Sequence, residues 1–336
     1  MDERGARLAA FLAACGWERA ARLPLPCDAS FRRYVRLVGD GARAMLMDAP
    51  PPQENVRPFL AVARLLHALG LSAPRILAED PEQGFLLLED FGDDTYTRLL
   101  AAGAAEAPLY ELAVDVLIAL NQRFAAAMAP ALPPYDTERL LAEAALLVDW
   151  YLPAISGRPT DAAQRAEYLA LWRGLLPLAT GGPATLVLRD YHVDNLMRLE
   201  GRAGVAACGL LDFQDAVLGP MSYDLVSLLE DARRDVPAAL AAAMRARFLA
   251  AFPTLGRAAF ERSYAVLGAQ RNCKIVGIFT RLCVRDGKPG YLAHIPRVWR
   301  LIEEDMRHPA LAPLARWLDR HIPAASRRIP PVRPAA

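Results

Sequence analysis

Two short apolar runs, Thr185 to Leu188 and Cys208 to Leu211, interrupt a second half whose spacing is otherwise helical, and an aspartate follows each. Runs this short and this uniformly apolar read as strands buried on both faces. In Leu186-Val-Leu-Arg-Asp-Tyr-His-Val-Asp-Asn-Leu-Met197 the first strand delivers Asp190 to a loop, with Asn195 five residues on. In Gly209-Leu-Leu-Asp-Phe-Gln-Asp215 the second delivers Asp212. Two carboxylates and a carboxamide at strand ends form a hard oxygen donor set that suits Mg²⁺, an ion that keeps waters and shares substrate phosphates. An acid left over can orient a hydroxyl and accept its proton. The bland alternative is that Asp190 and Asn195 cap turns and Asp212 ends a strand.

At 336 residues the chain exceeds one ordinary core, so two lobes are expected. A hydrophobic content of 54% against 23% charged excludes a disordered chain. The net charge of +1 gives no global reason to expect a nucleic-acid or membrane partner. From Arg189 onward there are 22 Lys+Arg and 15 Asp+Glu, net +7, while residues 1–188 are net −6. Five scattered cysteines without a CxxC pair fit neither a disulfide framework nor a zinc site, which points to a reducing cytoplasm. Leu8, Phe11, Leu12 and Cys15 follow helical spacing behind a start with two acids and two bases, so residues 2–15 are expected to be an amphipathic helix rather than a signal peptide. No uncharged apolar run reaches the roughly eighteen residues a membrane helix needs.

Strands are expected over Phe31–Leu37 and Ala44–Met47 around a Gly39-Asp40-Gly41 turn, and over Arg75–Ala78 and Phe85–Leu88. A helix is expected from Val56 to Leu69, stopped by Gly70. The fold class read from this order is α+β, a small antiparallel sheet with one main helix followed by a larger helical part. The expected domains are 1–89 and 90–326, with a loose, proline-bearing tail at 327–336.

The D-x-x-x-x-N and D-F spacing resembles that of the protein-kinase superfamily, and the chain is similar to the aminoglycoside phosphotransferase family from about Asp28 to Trp299. That resemblance implies a bilobal protein-kinase-like fold, Asp190 as base, Asn195 and Asp212 as metal ligands, and ATP with Mg²⁺. More narrowly, Asp28-Ala-Ser-Phe-Arg-Arg-Tyr34, Met47-Asp-Ala-Pro-Pro51, Arg189-Asp-Tyr-His192, Leu211-Asp-Phe-Gln-Asp-Ala216 and Tyr223-Asp-Leu-Val-Ser-Leu-Leu-Glu-Asp-Ala-Arg-Arg234 look like the bacterial anomeric N-acetylmuramate/N-acetylglucosamine kinases of cell-wall recycling. The implied activity is ATP-dependent phosphorylation of the C1 hydroxyl of an amino sugar.

Three departures stand out. Leu188 occupies the usual His position of H-x-D, and residues 1–273 contain no lysine, so the strand lysine that pairs with nucleotide phosphates is missing. Strand alternation puts Arg32, Tyr34 and Arg36 on one face and Arg33 on the other, leaving Arg32 or Arg33 as the replacement, or a solvated strand face. The segment with Ser30 and Phe31 stands where a glycine-rich phosphate loop would, without glycine. Glu89, Asp90 and Phe91 are placed like a hinge meeting an adenine edge. Asp224 is expected either to accept catalytic-loop N–H groups or to cap a helix. Substrate contacts are expected from His192, Glu230, Arg234, Arg271 and Asn272, the last two because Gln270 to Lys274 reads as a wet face in an apolar helix. The competing functions are an aminoglycoside, choline-like or homoserine-like kinase and a nucleotide-binding pseudokinase. The basic second half disfavours polycationic acceptors. The oligomeric state is not legible.

Overall fold

The structure, a computed structural model, describes residues 3–26, 31–39, 41–129 and 131–331. Nine strands form among these residues: β1 (Ala21–Pro24), β2 (Arg33–Gly39), β3 (Ala42–Asp48), β4 (Ile76–Asp80), β5 (Phe85–Glu89), β6 (Ala184–Val187), β7 (Leu196–Arg198), β8 (Cys208–Leu210) and β9 (Val217–Pro220). The chain folds into two compact units, residues 1–116 with 193–216, and residues 117–192 with 217–336. The β7–β8 hairpin belongs to the first unit. Leu210 N–H donates to the Ser72 carbonyl at 2.8 Å, and Arg202 donates to the Ser72 hydroxyl at 2.8 Å.

The first unit is built on an antiparallel sheet of order β1-β2-β3-β5-β4. Residues Val35, Leu37, Ala44, Leu46 and Leu87 lie on one face, and helix α1 (Glu3–Ala14) covers them with Leu8, Phe11, Leu12 and Cys15, the stripe expected from sequence. Arg4 fixes the helix by donating to Asp48 at 2.9 Å while its guanidinium lies 4.5 Å from the Phe85 ring centre. By alternation Tyr34, Arg36, Met45 and Leu88 share the opposite face. Helix α2 (Arg57–Ala68) ends where Gly70 and Leu71 N–H groups bond back to His67 and Leu66 carbonyls, both at 2.9 Å. Gly84 closes the β4–β5 turn at φ +72°, and a Cβ there would stand 1.9 Å from the Ala49 carbonyl oxygen. Strand β1 has no counterpart in the sequence reading. All four of its residues are exposed, so it lacks the apolar alternation that marks a half-buried strand. Helices α3 (Tyr96–Ala101) and α4 (Glu106–Arg123) follow β5, and α4 ends in the second unit.

The second unit contains α5 (Thr137–Ala144), a π-helical turn at Leu147–Tyr151, α6 (Leu152–Ser156), α7 (Ala162–Leu175), α8 (Pro177–Thr180), α9 (Tyr223–Leu229), α10 (Ala238–Ala250), α11 (Arg257–Val284), α12 (Ile295–Asp305) and α13 (Ala312–His321), with β6 paired to β9. The 28-residue α11 is buried on every side along its middle, as a central helix must be. It carries the unit's core through Val266, Leu267, Cys273, Val276 and Phe279, packed with Trp299, Ile302 and the π-helical turn. No helix is long and apolar enough to cross a membrane among the described residues.

The polar run on α11 is not a wet face. Gln270, Arg271, Asn272, Cys273 and Lys274 are all buried, because five consecutive helical residues cover more than one turn and cannot share one side. Their partners are internal. Gln270 donates to the Leu140 carbonyl at 2.9 Å, Arg271 to the Glu230 carbonyl at 3.2 Å, and Asn272 bridges the carboxylates of Glu230 (2.7 Å) and Asp305 (3.3 Å). The expected tail opens with two held residues. Arg327 pairs with Glu303 and Asp319, and Arg328 N–H donates to the Tyr151 hydroxyl at 3.0 Å.

Gly277 sits where a Cβ would come within 2.3 Å of the Leu146 backbone carbon. Alanine normally gains about 1 kcal/mol over glycine inside a helix, but here overpacking wins. Gly277→Ala is expected to destabilise the protein by about 1–3 kcal/mol in denaturant unfolding, and an equal or higher midpoint would contradict this packing. The buried acids set a pH dependence. Burial lifts Glu230 to about 7, against the pull of Asn272, and lifts Asp305 as well. Both folded values lie above the unfolded ones, so both acids contribute stability that falls as pH rises; for Glu230 it is full below about pH 4.5 and is lost as pH rises through 7. Melting temperature measured from pH 5 to pH 8 should therefore fall less steeply in Glu230→Gln than in the wild type.

Candidate active site

In the first unit a cavity of about 400 Å³ opens on the Tyr34–Arg36–Met45–Leu88 face of the sheet. Glu89, Asp90 and Phe91 line it, as do Asn195, Met197, Leu211 and Asp212 from the β7–β8 hairpin. Hairpin register explains how two of the candidate ligands meet. Leu196 pairs with Leu210, and the Leu211 N–H donates to the Asn195 carbonyl at 2.9 Å, which sets Asn195 beside the segment entering Asp212. Asp212 has φ +55°, a left-handed conformation that aspartate tolerates better than most residues, and accepts from Gln214 at 2.9 Å.

The side chains of Glu89 and Asp90 are already engaged. Asp90 is held by Arg36 at 2.7 Å and by Gly92 N–H at 3.0 Å, and Glu89 pairs with Arg75 and Arg202. Phe91 lies over Gly209, where a Cβ would meet the ring at 2.8 Å. Arg36 reaches Asp93 at 3.0 Å and the Gly92 carbonyl at 2.9 Å as well, so it braces the segment after β5. Among the basic candidates, Arg32 stands 3.6 Å from Glu54 and 3.8 Å from Asp212, whereas Arg33 is exposed. Burial pushes the Tyr34 phenol up to about 12, with the Arg32 guanidinium opposing and the Asp212 and Glu54 carboxylates reinforcing the shift. Phe31 is exposed and its N–H donates to Glu54 at 3.1 Å. Ser30 lies outside the described residues.

In the second unit, β6 leads into Leu188, Arg189 and Asp190. Arg189 has φ +71°; with Asp212 it makes up the non-glycine positive-φ residues among those described. Such strain persists only where surroundings over-determine it. Here Asp224, nearly inaccessible at the start of α9, accepts Leu188 N–H at 2.6 Å and Arg189 N–H at 2.9 Å. Ser227 donates to the Arg189 carbonyl at 3.1 Å. Burial raises Asp224 to about 7, although both N–H groups and Arg271 pull the other way. The Arg189 side chain donates to Glu143 at 2.6 Å. Burial would raise Glu143, but Lys274 at 3.3 Å, Arg189 and the Tyr135 hydroxyl outweigh it and hold the carboxyl below its usual range. Leu188, in the place of the usual histidine, is buried in the core.

His192 is buried, and burial lowers its pKa against the attraction of Asp231, so it is a neutral imidazole at pH 7. Arg233 lies 3.5 Å from its Nε2. Glu230, Arg271 and Asn272 share the buried cluster described above, and Arg234 is half-buried in the loop after α9. Sequence reasoning missed Glu54, Glu143 and the bracing role of Arg36. One signal was available for the second: Lys274, one of two lysines in the chain, stands in an apolar helix, where a charge needs a buried partner.

No three His, Cys, Asp or Glu residues are grouped to hold a metal ion among the described residues. The donors at the cavity, a carboxamide and a carboxylate, instead fit a hard cation that completes its shell with water and phosphate oxygens.

A profile of the phosphotransferase enzyme family matches residues 22–260. An N-acetylmuramate/N-acetylglucosamine kinase of Caulobacter vibrioides is 40% identical, with 97% of this chain and 99% of that protein aligned. A protein of the same name from Pseudomonas aeruginosa is 42% identical over 90% of each chain. Among solved structures, the GDP complex of an aminoglycoside 2′-phosphotransferase IIIa variant superposes with a TM-score of 0.63 at 15% identity, covering 92% of this chain and 99% of that one, a likeness of fold. The α+β, kinase-like architecture and the length of these matches lead to one assignment: this chain belongs to the phosphotransferase enzyme family.

Proposed function

We propose that the protein is an ATP-dependent sugar kinase that phosphorylates the anomeric C1 hydroxyl of N-acetylmuramate, N-acetylglucosamine or both, in peptidoglycan recycling. The observation that carries this reading is the shared name of relatives at 40% and 42% identity over 90% or more of the chain. The residues supply a mechanism. The acceptor hydroxyl oxygen attacks the γ-phosphorus in line, the bond to the β,γ-bridging oxygen breaks, ADP leaves, and the hydroxyl proton passes to the Asp190 carboxylate. Asn195 and Asp212 would hold Mg²⁺, which when bound would neutralise phosphate charge. Backbone groups at Glu89, Asp90 and Phe91 receive the adenine edge, and Arg32 or Arg33 faces the phosphates. Ser30 and Phe31 complete the phosphate-side segment.

On the acceptor side, His192 and Arg234 form the sugar-binding set, Glu230, Arg271 and Asn272 keep the internal partners described above, and Asp224 holds the base loop. Neutral His192 can exchange hydrogen bonds with a hydroxyl without adding charge. The functional boundary falls after Glu89, and the four described cysteines are free, which suits a cytoplasmic enzyme.

The test is MgATP turnover on N-acetylmuramate, N-acetylglucosamine, glucose and kanamycin, with phosphorus NMR locating the new phosphate. Turnover confined to the amino sugars with phosphate on C1 is expected; turnover on kanamycin alone would redirect the assignment to an aminoglycoside kinase. Asp190→Asn should lower kcat by about 10²–10⁴ while MgATP binding persists, and unchanged kcat would exclude Asp190 as the base.

A further inference from the structure

The structure leaves one electrostatic requirement of the kinase reading open, and the inference here rests on that reading. A nucleotide triphosphate brings several negative charges into a site that must hold them with cations. The sheet supplies no lysine: the position on β3 that faces the cavity is Met45. Lys274 lies in the other unit, buried against Glu143. Arg36 faces the cavity but holds Asp90, Asp93 and the Gly92 carbonyl, so moving it would undo the segment it braces.

The geometry points to Arg32 as the phosphate-binding cation, delivered from the entry to β2 rather than from β3, with Glu54 as its positioning residue. Arg32 is the basic side chain that reaches Asp212, the candidate metal ligand, and it does so at 3.8 Å. Its approach to Glu54 is 3.6 Å. Both distances are in ion-pair range, and Arg32 also hydrogen-bonds the side chain of Tyr34, which lines the cavity. From this place its planar fork can form a charge-assisted, two-pronged bond to a phosphate oxygen pair. Glu54 has the complementary task. One carboxylate oxygen faces the Arg32 guanidinium while the other accepts the Phe31 N–H at 3.1 Å, so a single side chain fixes both the backbone and the head group at the start of β2. Arg33, one residue on and exposed, has no such placement.

Calorimetric titration of the full chain with MgATP, MgADP and adenosine, using wild type and the variants Arg32→Ala, Arg32→Lys, Arg33→Ala and Glu54→Gln, tests this without measuring turnover. Arg32→Ala should weaken MgATP and MgADP by about 10- to 100-fold and leave adenosine within about twofold, which also shows that the variant is folded. Arg32→Lys should recover part of the loss, since a point charge replaces a fork. Glu54→Gln should weaken MgATP severalfold, and Arg33→Ala, the rival candidate, should weaken MgATP less than Arg32→Ala does. Full MgATP affinity in Arg32→Ala, or an equal loss in Arg33→Ala, would overturn the assignment. Wild-type protein that binds adenosine and MgATP alike, or neither, would overturn the nucleotide site itself and the kinase reading with it.

Discussion

A carboxylate with almost no access to water, Asp224, accepts two consecutive backbone N–H groups, and the segment bearing Asp190 is arranged by that pair of bonds. Left-handed backbone at a residue such as Arg189 costs of order 1–3 kcal/mol, and it persists because each part of the residue is tied separately. The N–H goes to Asp224, the carbonyl takes a bond from Ser227, and the guanidinium meets Glu143. Glu143 is in turn held by Lys274 on α11. A buried ion pair of this kind is weak evidence for stability, since desolvation offsets much of the attraction. Its better-supported effect is geometric: a rigid central helix, through one lysine and one glutamate, dictates the direction in which the chain enters Asp190.

The first unit solves a different problem with arginine alone. Lysine would deliver a compact charge from mid-strand, whereas arginine has a longer reach and a planar fork. With Met45 on β3 forming an apolar wall of the cavity, the cations come from β2 and its entry: Arg36 braces the segment after β5, and Arg32 stands near Asp212. The two arginines thus have separate surroundings, Arg36 among Asp90, Asp93 and the Gly92 carbonyl and Arg32 between Glu54 and Asp212.

Locally encoded features were legible in the sequence. The α1 stripe, the β2–β3 hairpin around Gly39 and Gly41, the helix stop at Gly70 and the apolar strands before Asp190 and Asp212 all follow from spacing within a few residues. What could not be read depends on pairing at long range. Nothing near Arg32 names Glu54, and nothing near Arg189 names Glu143, 46 residues earlier. Strand β1 escaped because its stability comes from pairing with β2 and not from burial. The α11 run escaped for the opposite reason: Gln270 to Lys274 looks solvated by composition, yet every polar member finds an internal partner, so polarity reported networking rather than exposure.

The same distinction bears on the acceptor. The net charge of +7 from Arg189 onward is a sum over the whole segment that already counts acids paired within it, Asp235 with Arg297 and Arg300, and Glu303 and Asp319 with Arg327, so it does not fix the charge at any one place. The charges that act on His192 are few and mixed, Asp190 and Asp231 against Arg233 and Arg271. Asp224 and Glu230, both pushed to about 7, contribute less than full negative charge at neutral pH. A polycation at this place would be held by two carboxylates while two guanidinium groups repelled it. A sugar offering hydroxyls and at most one carboxylate would meet no such opposition.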